Sequence, residues 1–285
     1  MLQHSTIQLL RFHFSFFLLP VYLFAISQSE VVTTSTALLS FFILHLLVYP
    51  ASNGYNSYMD RDQTPIGGLA SPLLPTVQLF YVTLCMDALA VLLSLLVSPF
   101  FALGILLYIL ASRAYSYRGI RLKQYPVTGF LTVFIFQGAL VFYLSWHAAN
   151  PILNTVPPLL PLLVSSLLIG ALYPLTQVYQ HEADRMDGVT TISYLLGKKG
   201  SFLFSMFLFL GANALLYVYF DDRSTPGYFL LFLGITAPVV LFFLYWMRKV
   251  WLNDAAADFS HSLRMNIVST LCTTVFFLTL ILSKS

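Results

Sequence analysis

The chain has 285 residues, of which 58% are apolar and 9% charged, and a mean hydropathy of +0.81; an ordinary soluble domain carries roughly 25% charged residues. Twenty-six Phe and 17 Tyr cannot all be hidden inside a soluble fold of this size, so the expected fold class is an all-α integral membrane protein. A net charge of +3 is too small to argue for nucleic acid, and Cys85 and Cys272, each inside an apolar run, read as packed thiols.

In chain order, nine runs are long enough to cross a bilayer as helices: approximately 9–27, 35–53, 76–97, 99–116, 126–147, 157–179, 201–220, 226–247 and 265–283. Runs such as Phe202 to Leu210 do not alternate apolar with polar residues, which excludes the pattern of a membrane β-barrel. The first run is followed by Ala25-Ile-Ser27, which resembles a cleavage site, but Arg11 and Pro20 fit a retained first helix. With nine spans, all of the 14 Lys and Arg residues except Arg223 and Lys284 fall on one side. By the positive-inside rule this puts the N-terminus in the cytoplasm and the C-terminus opposite, in a multi-pass protein expected in the inner (plasma) membrane. Of the connections expected on the other side, 28–34, 97–99 and 148–156 are short and nearly uncharged, and the fourth, 221–225, carries Asp221, Asp222 and Arg223 but is only a few residues long. The cytoplasmic face is therefore the working face.

Two polar clusters end spans on that face. The first runs from Asn53 to Asp62 and includes Asn56, Asp60 and Asp62. Asn56 and Asp60 are four apart and stack on one helical face. Oxygen ligands at that spacing suit a hard cation such as Mg²⁺. The second cluster ends the sixth span with Gln177, Gln180, His181, Glu182, Asp184 and Asp187. The clusters lie four spans apart, which fits two related halves, about 9–116 and 126–283, around one central cavity. Between them, the connection after the fourth span carries Arg113, Arg118, Arg121 and Lys123 with Tyr115, Tyr117 and Tyr125, and no acid. Arg as a bidentate clamp and Lys as a point charge suit a diphosphate. Arg118, Arg121, Lys123 and Tyr115, with Asn53 of the first cluster, are the candidate substrate-binding residues. Asp87, within the third span, is either an intramembrane functional acid or a hydrogen-bonded structural one. His45 and His147 read as structural. Asp254, Asp258, His261, Arg264 and Asn266 form a third polar group on the same face, either a solvated loop with a helix cap or a group that caps the cavity or positions the acceptor.

These motifs resemble the UbiA-type intramembrane prenyltransferases over most of the chain. The resemblance rests on Arg11-Phe-His13-Phe14 with Pro20, Asn56-x-x-x-Asp60, Lys123 after the fourth helix, and Asp184-Arg185-x-x-Gly188-x-x-Thr191 with Leu195-Leu196-Gly197. It implies nine helices around a central cavity and transfer of a polyprenyl group from a prenyl diphosphate to an aromatic or other lipophilic acceptor among the membrane lipids. It implies that Asn56, Asp60 and Asp184 ligate Mg²⁺ on the diphosphate, and that Lys123, with Arg118, holds the leaving group. Asp60, Asp184 and Lys123 are then the catalytic set, with Asp62, Gln180, Glu182 and Asp187 as further metal-ligand candidates. The chain departs from the family pattern at Thr64, Gln180 and Gln177, where acids are common. That weaker acidity keeps a terpene cyclase or diphosphate-cleaving enzyme of the same fold in view. From another class, an ion-coupled transporter would place its site near the membrane midplane, whereas these clusters sit at helix ends.

Overall fold

The computed structural model describes residues 1–29, 32–151 and 157–284; parts of the expected connections 28–34 and 148–156 lie outside them. Among the described residues, nine helices are long and apolar enough to cross a membrane, and none of these residues forms a strand beyond an isolated bridge between Ile66 and Leu69. They are α1 (His4–Ser27), α2 (Thr34–Asp60), α3 (Val77–Ser94), α4 (Pro99–Ser116), α5 (Pro126–Ala149), α6 (Leu159–Thr176), α8 (Ile192–Asp221), α9 (Pro226–Leu252) and α10 (Phe259–Leu282). A short helix, α7 (His181–Met186), lies between α6 and α8. The protein is a multi-pass membrane protein.

Caps set the ends that hydropathy blurs. Pro99, Pro126 and Pro226 open α4, α5 and α9, positions where the missing proline N–H costs nothing. The Ser98, Thr191 and Asp258 side chains accept from the backbone N–H of Phe101, Tyr194 and His261 and so start α4, α8 and α10. As a result α8 begins nine residues earlier than its apolar run, with a break at Gly197 (φ +70°), and α10 begins at Phe259 and takes in His261 and Arg264. The first polar cluster forms the last two turns of α2 through Asp60, the helix closing on Arg61 at φ +55°, with Asp62 just beyond.

Two stretches widen into π-helix, Ile43–Val48 in α2 and Phe134–Leu140 in α5. Beside the second, Gly138 meets α6 so closely that a Cβ would lie 2.4 Å from the Ser166 Cα, the small-residue contact typical of helices packing in lipid. The ring of helices closes where α1 meets α10, with Phe24 stacked on Phe277 at 4.4 Å. Asp87 pairs with Arg113 of α4, whose guanidinium also lies 3.9 Å over the Tyr55 ring and donates to Thr83 at 3.3 Å. Arg113, expected among the cations of the α4–α5 connection, thus turns back into the helix layer, and Asp87 is structural. Breaking a shielded pair from one side strands the other charge. Asp87→Ala is expected to destabilise the protein by about 3 kcal/mol, read as a lowered Tm in detergent; an unchanged Tm would show the pair to be idle. His147 shares a hydrogen bond with Ser98 at 2.8 Å, and His45 is buried among aromatic rings, stacked on Phe41 at 4.6 Å.

Candidate functional site

Helix α2 projects Tyr49, Ser52, Asn53, Asn56 and Asp60 along one face at helical spacing, and all five line one cavity of about 270 Å³. Asn56 donates to the Asp60 carboxylate at 2.9 Å and to Ser116 of α4 at 3.0 Å, which ties the metal-type stack to the neighbouring helix. Lys123 pairs with the same Asp60 oxygen. The other, Oδ1, is buried without a hydrogen-bond partner and lies 3.6 Å from the Arg121 guanidinium.

From the opposite half, Asp184 at the middle of α7 lines the same cavity and accepts a hydrogen bond from Thr191, the cap of α8, at 3.2 Å. One side chain therefore starts α8 and orients Asp184. Burial lifts the Asp184 carboxyl to about 6 against the opposing pull of Lys123 and the Thr191 hydrogen bond. Asp62, in the connection after α2, is also raised to about 6, first by burial and then by the Asp60 charge. Asp187 goes the other way: burial pushes it up, but the hydrogen bond and charge of Arg121, with Arg118 and Lys123, bring it below the ordinary value.

The cations divide accordingly. Arg121 binds Asp187 through both its carboxylate and its carbonyl, the latter at 3.1 Å. Arg118 donates to the Met59 carbonyl at 2.9 Å and reaches Asp187 at 3.4 Å, half-exposed. Neither lines the cavity; they bridge the end of α2 to the segment after α7. Lys123 and Arg11 do line it. Arg11 stands in a break of α1 at φ +48°, and its terminal nitrogens donate to the carbonyls of Gly67 and Asn53, each at 3.0 Å. The connection after α2 is thereby strapped across α1. Gly67 and Gly68 allow the contact, since a Cβ would lie 2.6 Å from Phe14 or 2.8 Å from His13.

Most of the residues singled out from the sequence meet here. Asn53, Asn56, Asp60, Asp62, Tyr115, Lys123, Gln180, Asp184 and Asp187 all line the cavity. Glu182 does not; it is exposed on α7, because the helix face that presents Asp184 turns it outward, and it is set aside as a metal-ligand candidate. His181 also turns away. It hydrogen-bonds Ser193 at 2.8 Å, and burial, then the Lys198 charge, hold its imidazole down at about 4. Gln180 reaches toward the Pro65 carbonyl at 3.4 Å. Sequence reasoning missed other residues of the wall, among them Tyr49, Tyr108 and Gln137. Tyr49 lies four before Asn53, and Tyr108 four before Ser112, so tracing each helical stripe inward would have found them. From the third polar group, Asn266 lines the cavity, while Asp258 caps α10 and pairs with His261 at 2.8 Å.

The sequence profile of the UbiA prenyltransferase family matches residues 17–270. The chain belongs to that family. Its solved relatives share the whole architecture. A UbiA homologue from Archaeoglobus fulgidus bound to GPP and Mg²⁺ is 17% identical, with a TM-score of 0.71 over 97% of this chain and 99% of that one. An apo UbiA homologue from Aeropyrum pernix K1 is 18% identical, with a TM-score of 0.71 over 94% and 97%. A structure concerned with digeranylgeranylglyceryl phosphate synthase in membranes is 20% identical, with a TM-score of 0.64 over 97% and 98%. No curated protein matches the sequence significantly. At these identities the structures show a shared fold, and the family match carries the class of chemistry, prenyl transfer, in place of ion-coupled transport.

Proposed function

We propose that the protein transfers a polyprenyl group from a prenyl diphosphate to an aromatic or other lipophilic acceptor within the membrane, at its cytoplasmic face. The observation that carries this is the junction of two chambers. The polar cavity, with Asp60, Asp62, Asp184 and Lys123 in its wall, shares Phe17, Ile169 and Leu172 with an apolar chamber of about 410 Å³. A diphosphate with a hydrocarbon tail needs that combination. The tail removes apolar surface from water in the second chamber, and the leaving group meets cations and metal-type oxygens in the first.

The donor set fits a magnesium ion. The ligands available are hard oxygens, and Asp60 keeps one buried oxygen without a hydrogen-bond partner. Among the described residues no three His, Cys, Asp or Glu side chains already form a metal cluster, in keeping with an ion completed by substrate phosphates. Asn56, Asp60 and Asp184 would hold it, with Asp62 in reserve. Bound there, Mg²⁺ supplies Lewis-acid neutralisation of the diphosphate. Lys123 hydrogen-bonds the leaving group as the C1–O bond breaks and its electron pair goes to the diphosphate. The acceptor forms the new bond to C1, and its displaced proton leaves with the diphosphate. Arg118 and Arg121 hold the two polar clusters together and do not grip substrate. Tyr115, which shares a 2.5 Å hydrogen bond with Tyr173, and Asn53 shape the wall where the allylic carbon would lie.

The test is diphosphate release by purified protein supplied with a labelled prenyl diphosphate. Release is expected to need both Mg²⁺ and an acceptor and to fall by about a hundredfold or more on chelation. A cyclised hydrocarbon formed without acceptor would replace the transferase reading with a cyclase one.

A further inference from the structure

The wall of the polar cavity changes character with depth. Its charged residues, Arg11, Asp60, Asp62, Lys123, Asp184 and Asp187, stand within about two turns of a helix end or in a connection. Farther in, Tyr49, Tyr108 and Gln137 line it, about 12 to 17 Å along α2, α4 and α5 at 1.5 Å per residue. No described lining residue at that depth is charged. The layer is polar but neutral.

Several features mark it as built for a ligand. The Tyr49 hydroxyl has no hydrogen-bond partner although the residue is 2% exposed, and nearer the rim the same holds for the Gln177 Oε1 at 5% exposure. Gln137 sits inside one π-helical stretch and Tyr49 directly follows the other. Such irregular turns concentrate at functional sites because they re-aim side chains. A hydrocarbon tail against this layer would leave the Tyr49 hydroxyl unpaired, at a cost of roughly five- to a hundredfold in affinity. The charges near the rim disfavour a second anion beside the diphosphate. Arg11 is committed to two carbonyls and Arg121 to Asp187, Lys123 is shared between Asp60 and the diphosphate, and four carboxylates share the wall.

We infer that the acceptor is an uncharged lipophilic alcohol or phenol, its polar group received by Tyr49, Tyr108 and Gln137, and not a carboxylated or phosphorylated molecule. This rests on the prenyl transfer proposed above and narrows it to a substrate class. Hydroxyl and amide groups that both donate and accept can satisfy a ligand hydroxyl. An anionic head at the same depth would be desolvated without a counter-charge.

The experiment measures equilibrium binding to the full chain loaded with Mg²⁺ and a non-hydrolysable thio-analogue of a prenyl diphosphate. The probes are 2-naphthol, dodecanol and 3-hydroxy-2-naphthoate. At least one neutral probe is expected to bind about tenfold or more tighter than the carboxylate. Tyr49→Phe, which removes only a hydroxyl, and Gln137→Ala are each expected to weaken that binding about fivefold or more while the analogue binds as in wild type. Tighter or equal binding of the carboxylate, no binding of either neutral probe, or variants that leave neutral-probe affinity intact would each overturn the inference. So would a parallel loss of analogue affinity, which would assign the layer to the donor tail. Failure of the analogue itself to bind in a Mg²⁺-dependent way would instead remove the prenyl-transfer reading on which the inference stands.

Discussion

Replacing Asp60 by Asn is expected to lower prenyl-transfer turnover by about a thousandfold or more while leaving the helices in place. The substitution keeps the shape of the side chain at the end of α2, where Asp60 is stacked on Asn56 and covered by the α4–α5 connection. What it removes is the charge that holds Lys123 and faces Arg121. Lys123→Gln removes the partner charge and is expected to cost about a hundredfold by itself. Because the two side chains touch, their effects are not independent. The double variant is expected to be about as inactive as Asp60→Asn alone, not the product of the two losses. Single-turnover rates with a labelled prenyl diphosphate, with circular dichroism as the folding control, decide it. Full activity of Asp60→Asn would dismiss the site.

That prediction draws on residues the sequence already exposed, and the reason is physical. In a chain this poor in charge, an acid or amide at the end of an apolar run has few neighbours to account for it, so the Asn56–Asp60 stack and the Asp184 cluster stand out. The nine spans were legible for a similar reason, since crossing a bilayer needs length and apolarity and little else. What failed was pairing and phase. Arg121 and Arg118 look like substrate clamps in a cation-rich connection, but their counter-charge, Asp187, is supplied by another segment. Arg113 answers to Asp87 on a preceding helix. Helix ends were misjudged where polar stripes continue a helix past its apolar part, as in α2, or where Thr191 and Asp258 start one early. Gln137 was hidden by the π-helical turn around it, which puts it out of step with the regular 3.6-residue period.

Protonation of Asp62 and Asp184 is expected to stabilise the ligand-free protein over the same range in which it weakens metal binding. Asp62 and Asp184 ionise near 6 in the folded chain, above the ordinary 3.8. Between about 4 and 6 the folded state thus holds more protons than the unfolded one, and the contribution of these two groups to stability falls as pH rises through that window. Asp187, held below its ordinary value by Arg121, has the opposite sign, but its contribution is lost only below about 4. His181, held down at about 4, opposes the raised pair over the same window, so the carboxylates' part is read as the difference between wild type and a variant in which one of them cannot titrate. A divalent cation needs the ionised carboxylates, so protons compete with it there. In thermal unfolding in detergent without ligand, the Tm near pH 5 relative to that near pH 7.5 should be higher in wild type than in Asp184→Asn. Adding Mg²⁺ with a prenyl diphosphate analogue should raise Tm strongly near pH 7.5 and little near pH 5. In Asp184→Asn the amide cannot titrate, so half of the acid stabilisation should disappear along with most of the Mg²⁺ effect, and turnover should fall by about a thousandfold. An analogue-dependent Tm shift that is the same at both pH values would show that neither carboxylate meets the metal, and the site would have to be rebuilt around Asp60 and Lys123 alone.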